Sequence, residues 1–211
     1  MPQPSILCDI GNVLVHFDFA PAAQRLAARS HLQADRILTF LDTEKVLLES
    51  GQISGEEFIT RSMELTSFSG TRADFLDLWC DIFSPNEAMW RTIARLRGQL
   101  PLYLLSNTSD LHKDYLFATY PVFGNFDGGV YSYSAGSAKP DAEIFQRTIQ
   151  ELGIDPAQTL FIDDLAANIF TADELGFTTI RYDAANHLAF EESLNDWMLK
   201  HEIVSSPIAK S

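Results

Sequence analysis

Short apolar runs recur along the chain, and each of them ends abruptly on polar residues. The first run, residues 6–8, is followed directly by Asp9. Runs of this length are typical of parallel strands that are buried on both faces and lead into a loop. The later runs occupy residues 102–105, 160–162 and 179–182, and they end on Ser106, Asp163 and Asp183.

Amphipathic helical segments separate these predicted strands. One begins after Asp141 and has its stop signal at Gly153, and another begins after Asp164 and stops at Gly176. Strands that alternate with helices predict an α/β fold, in which helices cover both faces of a Rossmann-like parallel sheet. Asp9 should then lie at the carboxyl edge of that sheet, where open α/β folds bind their ligands.

The segment 18–85 shows helical patterns throughout. It predicts a small α-helical cap inserted between the first two strands, with residues 1–17 and 86–211 forming the α/β core. Just before it, residues 13–19 alternate in polarity and predict a short hairpin or flap. Three capping signals mark helix starts: Ser54 with Glu57, Thr71 with Asp74, and Ser84 with Glu87, where Pro85 would occupy the first helical position.

Charge and cysteine content narrow the class of protein. The net charge of -14 opposes binding to nucleic acid or to an anionic membrane, because the fifteen lysines and arginines are scattered. With only Cys8 and Cys80, a disulfide framework is not expected, which favours the cytoplasm, and Cys8 should belong to the core. We expect no signal peptide, no membrane span, a monomer, and a partly frayed tail from about residue 200.

Four polar clusters lie at or near the ends of the predicted strands. They are Asp9, Ser106 with Asn107, Lys139, and Asp163 with Asp164. Their order and spacing resemble the haloacid dehalogenase superfamily from Ile6 to about Asp183. Within that superfamily, the segment 9–13 and the later acidic pair are similar to a phosphatase branch that includes bacterial glucose-1-phosphate phosphatases.

The resemblance implies hydrolysis of a small phosphorylated metabolite, with a sugar phosphate favoured. Asp9 would attack the phosphoryl group and form an aspartyl-phosphate, which divides the reaction into two easier steps. Ser106 and the amide of Asn107 would hold the phosphoryl oxygens, and Lys139 would neutralise the nucleophile and the developing charge.

The same resemblance implies Mg²⁺ as the cofactor. A carboxylate approaches a phosphate dianion only when the charges are compensated, and a hard cation with oxygen ligands does this. The implied ligands are Asp9, the backbone carbonyl of Gly11, and Asp164. Asp163 would bind directly or through water.

Gly11 departs from the pattern of most phosphatases in the superfamily, which carry a second aspartate there as the general acid. Such an acid contributes about 10²- to 10⁴-fold in rate. His16 and Asp18 in the predicted flap are the candidates to replace it, although the favoured interpretation is that His16 is a polar flap residue and that Asp18 starts the helical insertion. Glu49 could face the pocket.

Three other functions stay open at this stage. A protein that binds phosphometabolites with little turnover would explain Gly11. A metal-independent 2-haloacid dehalogenase would use the same fold but would not need Asp163 and Asp164. A phosphomutase would rely on the acid that Gly11 lacks.

Overall fold

Five parallel strands form the central sheet, and an antiparallel two-stranded ribbon lies beside it. The computed structural model describes residues 3–203, and residues 204–211 of the expected frayed tail lie outside them. The sheet has the order β5-β4-β1-β6-β7, and β2 pairs with β3 in the ribbon. The strands are β1 (Ser5–Cys8), β2 (Val15–Phe17), β3 (Phe83–Pro85), β4 (Leu102–Ser106), β5 (Gly128–Tyr131), β6 (Thr159–Asp163) and β7 (Thr178–Arg181).

Helices cover both faces of the sheet, which confirms the predicted α/β fold. Within residues 3–203 they are α1 (Phe19–Ala27), α2 (Ala34–Glu49), α3 (Gly55–Thr66), α4 (Arg72–Cys80), α5 (Glu87–Leu96), α6 (Asp110–Thr119), α7 (Ser132–Ala135), α8 (Ala142–Leu152), α9 (Ala166–Glu174) and α10 (His187–Lys200).

Strand β1 lies in the middle of the sheet and is buried on both faces. Ile6 and Cys8 pack in one apolar cluster with residues of α5 and α10, whereas Leu7 packs with Phe145 of α8 and Ala172 of α9. This alternation follows from the two-residue period of a strand. Burial raises the pKa of the Cys8 thiol well above its usual value, as expected for a core cysteine.

The helices α1 to α4 share an apolar cluster of their own. Phe58, Phe75 and Trp79 lie at its centre and are almost completely buried. The aromatic rings of Phe58 and Trp79 are 4.7 Å apart between centroids. This separate cluster is consistent with the predicted cap of residues 18–85, and the division of the chain into cap and core stays a prediction.

The capping signals have different outcomes. Thr71 and Asp74 form the reciprocal capping box at the start of α4. Ser54 accepts a hydrogen bond from the Glu57 amide at 3.2 Å, while the Glu57 carboxylate lies 3.4 Å from the Arg61 guanidinium. The first half of that predicted box is therefore present, and the Glu57 side chain is engaged elsewhere.

The predicted helix start at Ser84 is wrong. Ser84 belongs to β3 and pairs with His16 of β2, so the ribbon joins segments far apart in sequence rather than forming a local hairpin. The helix α5 begins at Glu87 instead, and the Asn86 side chain caps it by accepting from the Met89 amide at 3.4 Å. Strand pairing with β2 overrides the local helix signal.

The turn between α2 and α3 is pressed against α7. Gly51 in this turn has a φ of 71°, and a Cβ atom there would lie 2.1 Å from the Tyr133 carbonyl oxygen. The Ser132 hydroxyl donates a 2.6 Å hydrogen bond to the Glu49 carbonyl next to it. A glycine is therefore required here both by the backbone conformation and by the close approach.

Replacing Gly51 with alanine should destabilise the protein more than the same change at Gly98. Both glycines have a positive φ, which costs a residue with a side chain about 1–3 kcal/mol. At Gly98 nothing lies within 4 Å of the new Cβ, so this conformational cost acts alone there. Urea denaturation of Gly51→Ala and Gly98→Ala measures the difference. Equal losses of unfolding free energy would show that the contact with α7 is unimportant.

Candidate active site

The buried ammonium group of Lys139 joins two carboxylates at the carboxyl edge of the sheet. Its Nζ lies 2.8 Å from Asp9 Oδ1 and 2.6 Å from Asp163 Oδ2. It also donates to the Leu105 carbonyl oxygen at 2.8 Å. The three N–H groups of the ammonium therefore have three oxygen partners.

Burial and these ion pairs act in opposite directions on the titrating groups. Burial by itself would lower the pKa of Lys139, but Asp9 and Asp163 outweigh it and hold that pKa above its usual value. Burial raises the pKa of Asp9 to about 6, against the opposing effect of the Lys139 charge. Lys139 thus stays a cation and favours the carboxylate form of Asp9.

Asn107 holds the backbone of Lys139 in place. Its side-chain Nδ2 donates to the Lys139 carbonyl oxygen, and its Oδ1 accepts from the Lys139 amide, both at 2.8 Å. The side chain of Asn107 is thus engaged with the loop that carries Lys139. No local sequence pattern indicates this positioning role, because the two residues are far apart along the chain.

The two acidic residues after β6 have different surroundings. Asp163 is completely buried and accepts hydrogen bonds at both oxygens, from the Leu165 amide, the Asn168 side chain and Lys139. Asp164 is less buried, and its Oδ2 accepts from the Asn12 side chain at 3.1 Å. Burial raises the pKa of Asp164 above its usual value.

These acidic residues and Asp9 form an all-oxygen cluster. One carboxylate oxygen from each of Asp9, Asp163 and Asp164 lies within 4.8 Å of the others. A set of oxygen ligands of this kind suits a hard divalent cation such as Mg²⁺. The residues present therefore fit the metal that the sequence motifs imply.

A cavity of about 280 Å³ opens in front of the Asp9 carboxylate. Asp163 is fully buried and does not line the cavity. Six of the residues expected at the site line this cavity: Asp9, Gly11, Ser106, Asn107, Lys139 and Asp164. Four residues from the helical segments also line the cavity, and the sequence analysis indicated only Glu49 among them: Phe19, Lys45, Glu49 and His112.

The two flap residues considered as acids do not line this cavity. His16 lines a neighbouring pocket with Arg181 and Asp183, and that pocket shares Asn12 and Asp164 with the cavity. Asp18 caps α1, where its carboxylate accepts from the Ala20 amide at 2.9 Å. The capping explanation therefore accounts for Asp18.

His112 is a buried, neutral member of the cavity wall. Its ring stacks on Trp79 with 5.0 Å between the centroids, and its Nε2 lies 3.3 Å from the Trp79 carbonyl oxygen. Burial lowers the pKa of His112 to about 4. No sequence motif marks this residue, because its direction depends on how α6 packs against α4.

Replacing Lys139 with methionine should strongly destabilise the metal-free protein. The substitution leaves the carboxylates of Asp9 and Asp163 buried without their cation, which costs about 3–5 kcal/mol when one partner of a buried pair is lost. Lys113→Met is the matched control, because its partner Asp114 is exposed and such pairs contribute at most about 1 kcal/mol. Urea denaturation in EDTA compares the two variants, and similar losses would contradict the role of Lys139.

The comparisons with known proteins agree with this geometry. Residues 5–176 match the family model of the haloacid dehalogenase-like hydrolases. The chain is 31% identical to a D-ribitol-5-phosphate phosphatase of Bacteroides thetaiotaomicron over 84% of this chain and 90% of that protein. Across residues 3–203, no helix has both the length and the apolar character that crossing a membrane requires.

Two solved structures share this fold over most of the chain. One is a haloacid dehalogenase family enzyme from Bacteroides thetaiotaomicron in complex with magnesium and inorganic phosphate, with a TM-score of 0.78, 28% identity, and coverage of 86% of this chain and 95% of that one. The other is a hydrolase of this type from Porphyromonas gingivalis, with a TM-score of 0.75, 30% identity, and coverage of 92% and 98%. The chain therefore belongs to the haloacid dehalogenase-like hydrolases, as its strand-end motifs indicated.

Proposed function

We propose that this chain is a Mg²⁺-dependent phosphatase that hydrolyses a small sugar or polyol phosphate through an aspartyl-phosphate on Asp9. The observation that carries the proposal is the arrangement of Asp9, Lys139 and Asp163 beside Asp164, at the floor of a small cavity. The relatives support this class of reaction. One relative is a D-ribitol-5-phosphate phosphatase, and a similar enzyme was solved with magnesium and inorganic phosphate bound.

Asp9 is the nucleophile in this proposal. Its carboxylate attacks phosphorus, the bond from phosphorus to the ester oxygen breaks, and water later hydrolyses the aspartyl-phosphate. Lys139 contacts Asp9 at 2.8 Å and keeps the carboxylate ionised despite its burial. Because its three donors are already engaged, Lys139 acts on the reaction mainly as a fixed positive charge.

The metal would be held by Asp9, Asp164 and the carbonyl oxygen of Gly11, and it supplies charge compensation between carboxylate and phosphate. Asp164 is the better direct ligand of the acidic pair. Asp163 already accepts hydrogen bonds at both oxygens, so it would orient Lys139 or bind through water.

Ser106 and the backbone amide of Asn107 would hold the phosphoryl oxygens. Both residues line the cavity at the end of β4, next to the strand that precedes Asp9. Ser106 is almost completely buried, so its hydroxyl meets the substrate away from bulk water. Hydrogen bonds in such an environment stabilise the developing charge more than in water.

The size of the cavity supports a small substrate. A volume of about 280 Å³ lies just below the usual range for ligand sites, which is about 300–1,000 Å³. A compact sugar or polyol phosphate suits that space.

The monomeric state and the cytoplasmic location stay predictions from the sequence.

The alternatives make different demands on the site. A haloacid dehalogenase works without metal, and the all-oxygen cluster of three carboxylates argues against it. A protein that only binds phosphometabolites would use the same cavity but would not hydrolyse its ligand. The absence of a side chain at Gly11 favours this alternative, and a measured rate of hydrolysis distinguishes it from a phosphatase.

A panel of phosphate esters, with ribitol 5-phosphate and sugar phosphates first, tests the proposed function. We expect phosphate release that needs Mg²⁺, stops in EDTA and falls at least about 10³-fold in Asp9→Asn, because the nucleophile is lost. Asp18→Asn is the matched control and should keep its activity, since asparagine also caps helices.

Four outcomes would overturn this function. Equal release of phosphate in EDTA would contradict the role of the metal, and activity in Asp9→Asn would contradict the nucleophile. Binding of phosphate esters without any turnover would support the binding protein. Release of halide from a 2-haloacid without metal would support the dehalogenase.

A further inference from the structure

Cleaving the phosphate ester of an alcohol leaves an alkoxide, which departs readily only if it receives a proton. Gly11 follows Asp9 by two residues and has no side chain to supply it. A Cβ atom there would already lie 3.1 Å from the Phe17 ring. The charged and titratable side chains that line the cavity are Asp9, Lys45, Glu49, His112, Lys139 and Asp164.

Most of these groups are unsuited to donate the proton. Asp9 and Asp164 serve as the proposed nucleophile and metal ligand, and the Lys139 donors are engaged with three oxygens. His112 is neutral at physiological pH, because burial lowers its pKa to about 4. Lys45 and Glu49 are the two groups left.

Glu49 occupies a well-defined position on the cavity wall. It is the last residue of α2, and the Ser132 hydroxyl anchors its backbone carbonyl to the core. The close approach of Gly51 to Tyr133 fixes the turn that follows. Only 24% of the Glu49 side chain is exposed, and its carboxylate lies 3.9 Å from Lys45 Nζ.

We propose that Glu49 is the acid that protonates the leaving oxygen, a role that rests on the proposed phosphatase function. As the bond from Asp9 to phosphorus forms and the ester bond breaks, the Glu49 carboxyl gives its proton to the ester oxygen, which leaves as an alcohol. The Glu49 carboxylate then accepts a proton from the water that attacks phosphorus. Phosphate, the Asp9 carboxylate and the Glu49 carboxyl are thereby regenerated.

The environment of Glu49 suits both halves of this cycle. Burial raises its pKa to about 7, against the opposing charge of Lys45, so both protonation states are accessible near neutral pH. The elements around it also carry other charged or titratable groups. They include Asp110 and His112 on α6, Tyr133 on α7, Arg25 on α1, which pairs with Asp81, and Arg61 on α3, which pairs with Glu44.

Glu49→Gln should separate substrates by their leaving groups. With ribitol 5-phosphate, or the best alkyl phosphate of the panel, we expect kcat/KM to fall about 10²-fold or more, since the alkoxide needs a proton. With p-nitrophenyl phosphate it should change little, because the phenolate leaves without one. The value of kcat/KM reports the first irreversible step, so later hydrolysis of the aspartyl-phosphate does not mask the difference.

The pH profile gives a second readout. For the alkyl substrate, kcat/KM of the wild type should decline above about pH 7, as Glu49 loses its proton, and this decline should disappear in Glu49→Gln. Glu64→Gln, which removes the same charge from an exposed position on α3, should behave like the wild type.

The results also distinguish the two proposals. A wild type that hydrolyses neither substrate would refute the phosphatase function itself. Equal losses on both substrates in Glu49→Gln would overturn the role of Glu49 while leaving that function standing. A change confined to KM for the alkyl substrate would assign Glu49 to substrate binding and overturn its role as the acid.

Discussion

The contact between the Lys139 ammonium and two buried carboxylates is the constraint on which the rest of the site depends. Burying an ionised group costs free energy, and an oppositely charged partner offsets part of that cost. The buried charges of Asp9, Lys139 and Asp163 therefore depend on one another. The strand order makes this possible, because β4 and β6 flank β1 and bring their carboxyl ends to one edge. The Asn107 side chain holds the backbone of Lys139, and the Asn168 side chain donates a hydrogen bond to Asp163.

The site draws on two parts of the chain with different physical roles. The sheet edge supplies fixed charges with little freedom to move, which suits the stabilisation of a charged transition state. The helix α2 supplies Lys45 and Glu49, and the turn that follows Glu49 contacts α7 where Gly51 approaches Tyr133. That contact holds the turn next to Glu49 and does not involve Asp9.

Strand-end residues were predictable from sequence, whereas contacts between distant segments were not. A buried strand followed by a polar residue is a local signal, and it identified β1, β4, β6 and the groups that follow them. The strand β5 begins with two glycines and does not show this pattern, so it was not predicted. The strand β3 carries a local helix signal, which its pairing with β2 overrides. The sequence did not predict Lys45 and His112 either, because only the packing of the helices places them at the cavity.

A single-turnover experiment with rapid acid quenching, followed by mass spectrometry of the peptide that contains Asp9, tests the central claim most directly. The account predicts that a phosphoryl group appears on Asp9 in the presence of Mg²⁺ and an alkyl phosphate, and decays as inorganic phosphate forms. A phosphoryl group on a different residue, or phosphate formed with no phosphorylated Asp9 preceding it, would contradict the account.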